Sequence, residues 1–268
     1  MKYVKLLPPG SMCNHRAFLD IITKVIPTAK TFIDIGCGGG DLSRELLMMP
    51  LDGVGIDFSP LAIEITKRKL HTEIEENRYQ AYIKDIVTED ITLCNFDVGV
   101  CNMVMEHVLD DVAFTKECIK FIKPGGYFLF AVPAKMSLWS KEDESVGHLR
   151  RYERNTLKQT LSDGGLQNVQ IYSVAVPISN ILFGLNKWVV KRFEKKAERS
   201  RLSQNEQTQY SGISDIPWKT AFPRWVKIFI NRYTMHPLFM LQRVFYKTDY
   251  GHILIGFGQV SESQVRSE

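Results

Sequence analysis

Apolar positions along this chain fall into two alternating rhythms. Between Asn14 and Ile26, Phe18, Ile21, Ile22 and Ile26 recur at three- and four-residue steps. That is one face of a helix, and Pro27 ends it. Thr31–Ile35 is a short, nearly continuous apolar run and reads as a buried strand. A glycine turn follows, then a helix to about Met49 with Leu42, Leu46 and Leu47 on one side. Gly53–Asp57 is a second buried strand. Ser59-Pro60 marks a helix start, with proline at the first helical position, and the helix runs from Leu61 to about His71. Strands are predicted at Ala81–Asp85, Phe96–Cys101 and Tyr127–Val132, with a helix over Asp110–Ile122 and a turn at Lys123-Pro124-Gly125-Gly126. Strands alternating with helices predict a parallel sheet covered on both faces.

After Pro133 the alternation pauses. Ala134 to Tyr152 is a polar stretch read as a loop, with Trp139 and the acidic run Glu142-Asp143-Glu144. A helix over Asn155–Leu161, a strand near Val169–Val174 and a last strand at His252–Val260 complete the pattern. Residues 175–250 interrupt it as an insertion. A chain of 268 residues with 44% apolar and 24% charged content fits one domain over 1–268 that carries this insertion. Met1–Gly10 lacks the apolar core of a leader, and no run of about 18 uncharged apolar residues would span a bilayer. The cysteines at 13, 37, 94, 101 and 118 are scattered without metal-ligand spacing, which fits a reduced, cytoplasmic setting.

The stretch Phe32–Ser43 carries the first chemistry. Strand, glycine turn and helix let backbone amides and a helix N-terminus approach a ligand closely. Such a turn alone also serves nicotinamide cofactors, and Asp57, 21 residues after Gly36, suits that reading too. Against it, Asp41 stands at the sixth position, where the nicotinamide fingerprint needs glycine or alanine. Asp34 precedes the first glycine by two, and Lys123-Pro124-Gly125-Gly126 precedes the fifth strand. The resulting pattern, Asp-x-Gly-x-Gly-x-Gly, resembles motif I of the class I S-adenosylmethionine (SAM) dependent methyltransferases. The resemblance covers residues 14–174 well, the last strand loosely and the insertion not at all.

The resemblance implies an α/β, Rossmann-like fold. Its seven-stranded, mostly parallel sheet carries helices on both faces, with the last strand antiparallel between the fifth and sixth. It implies SAM as cofactor and S-adenosylhomocysteine as product. Asp34 is expected near the cofactor ammonium, and Gly36, Cys37 and Gly38 beside its amino-acid portion. Asp57 ends the second strand, where a carboxylate accepts from both ribose hydroxyls. Phe58 is placed to pack on the adenine. Asp85 and Ile86 match the family's adenine-edge position, and Asn102 and Met103 resemble the residues lining the methionine portion.

Two histidines fall where the family places its active-site mouth. His107 lies in Met105-Glu106-His107-Val108 and His148 in Gly147-His148-Leu149-Arg150-Arg151-Tyr152. Either is the residue type that removes a hydroxyl proton near neutral pH. The second stretch resembles a bacterial methyltransferase subgroup with a Gly-His-x-Arg-Arg-Tyr signature. The Glu-His-Val stretch resembles the ubiquinone-biosynthesis O-methyltransferases. In that family an acidic residue three before the Glu helps hold a metal. Here that residue is Met103, so no metal is expected. Arg151 and Tyr152 are expected to fix the loop, and Arg16 is a candidate for the cofactor carboxylate. Asn102-Met103-Val104 is not the Asn/Asp-Pro-Pro-aromatic run of amino-methylating enzymes, and no Pro-Cys nucleophile occurs. Nucleic acid is therefore not the expected substrate, and Cys101 reads as structural.

Charge changes the picture only at the C-terminal end. From Ala175 onward 14 Lys/Arg face 7 Asp/Glu, so this third nets +7 and the remainder −3 within an overall +4. The insertion is basic and aromatic, read as a helical cap over the acceptor, with Trp139, Tyr152, Trp188 and Trp218 as acceptor contacts. Such a lining suits a small hydrophobic or aromatic acceptor, methylated at oxygen. Residues 181–201 also read as a basic amphipathic helix able to touch an anionic membrane. Two alternatives stay open: a membrane-peripheral methyltransferase of a lipid-linked intermediate, and a non-catalytic SAM-binding subunit. The sequence leaves the oligomeric state undetermined.

Overall fold

The computed structural model describes residues 3–89, 91–181 and 221–261. In chain order the elements are β1 (Tyr3–Lys5), α1 (Pro9–Val25), β2 (Thr31–Ile35), α2 (Asp41–Leu46), β3 (Asp52–Asp57), α3 (Pro60–Lys69), α4 (His71–Glu75), β4 (Tyr79–Ile83) and β5 (Phe96–Asn102). They continue with α5 (Asp111–Ile119), β6 (Ile122–Pro133), α6 (Lys141–Val146), α7 (Arg154–Asp163), β7 (Leu166–Val174), β8 (Ala221–Pro223), α8 (His236–Phe245) and β9 (Ile253–Val260).

Seven strands form one sheet in the order β4-β3-β2-β5-β6-β9-β7. All neighbours are parallel except β9, which pairs antiparallel with both β6 and β7. This is the expected Rossmann-like arrangement. Strand order reverses between β2 and β5, and the ends of strands at such a switch point leave a crevice.

The apolar strands bury both faces, and the period of two sorts their side chains. Phe32, Val98, Val100, Leu129, Ala131, Ile255 and Phe257 join Phe18, Ile21 and Ile22 of α1 and Leu42 and Leu46 of α2 in one core. Their neighbours Ile33, Ile35, Cys101, Phe128, Phe130 and Val132 join Phe114 and Ile119 of α5 and Leu157 and Leu161 of α7 in the other. Helix starts follow local chemistry: the Ser59 side chain accepts from Ala62 N–H ahead of α3, and Asp110 accepts from Ala113 N–H ahead of α5.

Several boundaries differ from expectation, each for a local reason. Helix α1 begins at Pro9, because proline suits the first helical turn although Gly10 and Ser11 break the apolar period. Strand β6 runs through Lys123-Pro124-Gly125-Gly126, expected as a turn, with a register irregularity opposite Phe96/Val98. The stretch expected as a polar loop contains α6, and β7 starts at Leu166. A further two-stranded sheet pairs β1 with β8 antiparallel.

Residues 182–220 lie outside the described residues, and with them the expectations for Trp188, Trp218 and, but for Ile181, the membrane-facing helix over 181–201. Helix α8 packs on α1. Met235 and Phe239 bury against Cys13 and Ala175. Gln242, fully buried, donates to Cys13 O and accepts from Ala175 N–H. Arg243 reaches Asp20 with two nitrogens, and Tyr246 donates to the same carboxylate while stacking on Tyr172. Trp225, Ile228, Phe229 and Tyr233 stay exposed. Among the described residues no helix is long and apolar enough to cross a membrane.

Gln242→Ala strands two buried backbone groups and should cost about 3 kcal/mol. Arg243→Ala removes a half-exposed ion pair and should cost about 1 kcal/mol or less. Urea unfolding midpoints of the two variants, read at matched slope, test this ranking.

Candidate functional site

A cavity of about 460 Å³ opens at the carboxyl ends of β2, β3, β4 and β5. The ten residues expected at the cofactor, Asp34, Gly36, Cys37, Gly38, Asp57, Phe58, Asp85, Ile86, Asn102 and Met103, all line it, as does His107. They come from four chain-distant loops, and the parallel sheet brings them together.

The glycine turn is thin because the backbone requires it. Gly36 has φ +71°, and a Cβ there would sit 2.3 Å from Val104 Cγ2. Gly36 and Cys37 both donate backbone N–H to Ile56 O, and the Thr66 hydroxyl donates to Gly38 O at 2.7 Å. Asp57 finishes the clamp: Gly38 N–H and Ser59 N–H each donate to one of its oxygens at 2.8 Å. Burial pushes the Asp57 carboxyl up, and these two donors oppose the shift. Asp34 accepts from the Ser43 hydroxyl at 2.6 Å, and Ser43 in turn meets the Tyr79 hydroxyl at 2.9 Å. Its other oxygen has no partner among the described residues, and burial pushes its pKa up to about 7. A buried carboxyl with a spare oxygen on a cavity wall is suited to a cationic ligand group. Met103 has φ +58°, the left-handed region, at a cost of about 1 kcal/mol. That turn directs the chain from β5 across the cavity wall.

The roof comes from the N-terminal segment, with Leu7, Ser11 and His15 on the lining. Sequence reasoning missed all three, since His15 sits on a helix read only for its apolar face. Burial lowers His15 to about 4, and its Nδ1 has no partner among the described residues. Its neighbour Arg16 does not reach the cavity: it pairs with Asp20 one helical turn on. None of residues 225–250 is on the lining, so the described part of the insertion lies away from the cavity.

Glu106, His107 and His148 lie close together, and of the three His107 alone lines the cavity. His107 is on the wall, and its Nδ1 lies 3.2 Å from Gly147 O; a carbonyl only accepts, so Nδ1 carries the proton and Nε2 the lone pair. Burial, with His148 adding, lowers His107 to about 4. The His148 ring stands edge-on to it with centroids 4.9 Å apart, one layer behind the wall. His148 Nδ1 meets Asp143 at 2.8 Å. Burial would raise Asp143, but Arg151 and His148 outweigh it and hold the carboxyl below its usual range. His148 therefore donates from Nδ1 and keeps its lone pair on Nε2, 3.7 Å from Glu106 Oε1. Glu106 is fully buried, neither of its oxygens has a hydrogen-bond partner among the described residues, and burial raises it to about 8.

Asp143 is the hub that the sequence did not reveal. It reads as one of three acids in a solvated run, yet it is 1% exposed. Arg151 grips it with two nitrogens at 2.8 and 2.9 Å, and Ser140 N–H donates to it at 2.8 Å. Tyr152, expected at the acceptor, is buried; its hydroxyl donates to Asp111, which Arg150 also grips. Trp139 donates toward Glu144 at 3.5 Å. Neither Trp139 nor Tyr152 nor His148 is on the cavity lining.

Relatives of known name bear on this arrangement. The chain is 34% identical over 125 residues to a ubiquinone biosynthesis O-methyltransferase of Coxiella burnetii, covering 47% of this chain and 53% of that protein. The chain thus spans about half the length of the curated relatives it matches. Among solved structures it resembles phosphoethanolamine N-methyltransferase 2 of Haemonchus contortus at 17% identity and TM-score 0.55, over 92% of this chain and 52% of that one. It also resembles the [4+2]-cyclase SpnF at 12% identity and TM-score 0.59, over 92% and 80%. These two show a shared fold. A family model described as "Methyltransferase domain" matches residues 13–171, from α1 to β7, which is the segment that builds the cavity. The chain therefore belongs to the methyltransferase domain family, which uses S-adenosylmethionine.

Proposed function

We propose that the protein methylates a hydroxyl oxygen of a small apolar or aromatic acceptor. One observation carries this reading: His107, whose Nε2 keeps its lone pair, stands on the wall of the same cavity that Asp34 and Asp57 line. The name of the curated relatives, O-methyltransferases of ubiquinone biosynthesis, supports oxygen as the target.

The geometry supports roles in sequence. Asp57, already pinned by two N–H donors, turns its remaining lone pairs to the ribose hydroxyls. Asp34 offers its spare oxygen to the ammonium, and Phe58 and Ile86 flank the adenine. This fixes the sulfonium near the end of β5, between Asn102 and His107. The acceptor lies against Leu7, Val104, Val108 and Phe114, an apolar wall that excludes water. Its hydroxyl loses the proton at the His107 end of the cavity. The oxygen attacks the methyl carbon as the carbon–sulfur bond breaks, and neutral S-adenosylhomocysteine leaves. Alignment of the two reactants supplies on the order of 7–11 kcal/mol, and proton removal a further 10²–10⁴-fold.

Asp57→Ala should weaken SAM binding by about two orders of magnitude, since each charge-assisted hydrogen bond contributes about 1.5–3 kcal/mol; calorimetric titration measures it, and unchanged affinity would refute the assignment. Affinity should also depend on pH through Asp34. Free Asp34 holds its proton below about pH 7, whereas a bound ammonium requires the carboxylate, so binding expels a proton there. Affinity should fall on the order of tenfold from pH 7.5 to 5.5, and Asp34→Asn should flatten that slope. His107→Ala should lower kcat by at least about 10²-fold while SAM affinity stays within about threefold. Single-turnover assays with phenolic acceptors separate the two effects.

A further inference from the structure

A second cavity, of about 310 Å³, lies at the β7 edge of the sheet and shares no lining residue with the first. Three elements build it: Arg154, Asn155 and Lys158 come from α7, Val169, Gln170, Ile171 and Tyr172 from β7, and Lys247 from the turn after α8. Three of these eight residues are cations and none is an acid. A concave surface lined by one sign of charge focuses the field and gathers counter-ions. Its β7 side is fixed. The Tyr172 ring stacks on Tyr246 with centroids 4.8 Å apart, and its hydroxyl accepts from Lys24 Nζ at 3.0 Å, which brings a further cation beside the lining.

The cations are uncompensated. Arg154 is half-buried and donates to Ile171 O at 2.7 Å and to Thr248 O at 2.9 Å. Both partners are neutral carbonyls. They hold the guanidinium in place without offsetting its charge, and N–H groups remain to spare. Lys158 and Lys247 are exposed and have no ion pair among the described residues. The acids next to them in the chain are engaged elsewhere: Glu153 accepts from Met136 N–H at 3.3 Å, and Asp249 lies 3.9 Å from Lys135. Arg154 and Lys158 also stand in the first two turns of α7, which has no acid in its first turn, so they add to the positive pole of the helix instead of offsetting it. Lys247 and the cavity itself are independent of that helix end.

We propose that this second cavity binds a compact phosphate-bearing anion, a phosphomonoester, gripped by the Arg154 fork and by Lys158 and Lys247. A phosphate dianion offsets more of three like charges than a carboxylate does, and an arginine fork matches its oxygens two at a time. The bounded space fits a phosphate with a small organic group. The same chemistry occurs on a soluble phosphate and on a lipid headgroup. No residue of the first cavity takes part, so the site is independent of the methyltransferase reading.

The test is calorimetric titration of the full chain with glycerol 3-phosphate in phosphate-free, low-salt buffer, beside sedimentation with phosphatidylglycerol vesicles. One glycerol 3-phosphate per chain is expected, with affinity falling as salt rises. Lys158→Glu and Lys247→Glu should each weaken it by about tenfold or more. Lys67→Glu, the same charge change on the exposed side of α3, should alter it by less than about twofold. Arg154→Lys keeps the charge but not the fork and should also weaken it. Melting is read beside that variant because Arg154 braces two carbonyls, and the two exposed lysine variants decide if it fails to fold. Vesicle binding that glycerol 3-phosphate displaces and Lys158→Glu loses assigns the phosphate to a lipid headgroup; glycerol 3-phosphate binding without sedimentation assigns it to a soluble phosphate. No saturable binding of glycerol 3-phosphate, or an equal loss in Lys67→Glu, overturns the proposal. SAM affinity should be unchanged in the lysine variants, and a parallel loss there would also overturn it, since the substitutions would then act through the fold.

Discussion

The Asp57 carboxylate is the constraint on which the glycine-turn side of the cavity depends. It accepts from Gly38 in the turn after β2 and from Ser59 at the start of α3. Two loops from neighbouring strands are thereby fixed to one buried charge. The buried carboxylate and the amides satisfy one another, and the turn cannot drift without unpairing them. The steric limit at Gly36 and the hydroxyl bond from Thr66 act on the same few backbone atoms. The result is a preorganised wall at the switch point of the sheet, built before any ligand arrives.

The region around His107 and His148 is organised by a different carboxylate. Asp143 is nearly inaccessible, yet it is satisfied by Arg151, His148 and Ser140 N–H. It ties α6 to the Gly-His-x-Arg-Arg-Tyr stretch, while Asp111 ties the same stretch to α5 through Arg150 and Tyr152. These residues act through position: they hold His148 behind His107 and contribute no group to the cavity wall. In the Arg-Arg-Tyr signature two arginines and a tyrosine each find a buried or half-buried acid. Its chemistry is fully accounted for by holding the loop.

The sheet was legible in the sequence because its strands are buried on both faces and read as near-continuous apolar runs. That the ten residues expected at the cofactor would line one cavity was legible because strand ends and a glycine turn have few conformational options. What stayed hidden has a common cause. Asp143, His15 and the Pro9–Cys13 turn depend on contacts with residues remote in sequence, and no periodicity marks them. Asp143 looked like one acid in a solvated run until Arg151 folded onto it. Tyr152 was expected among the aromatic acceptor contacts, but its bridged segment beside Ala134 is buried and its hydroxyl turns to Asp111. Arg16 looked available to the cofactor because helical spacing alone does not reveal Asp20 as its partner.

Asp143 and Glu106 make the sharpest comparison within the site. Both are buried carboxyls within the environment of His148, and burial acts on both in the same direction. Asp143 has four N–H donors and stays ionised, held below its usual range. Glu106 has none among the described residues and is raised to about 8. The difference is not in depth but in partners. A carboxyl kept without donors, beside two imidazoles whose other nitrogens are both braced, holds its proton where Asp143, with its N–H donors, gives it up.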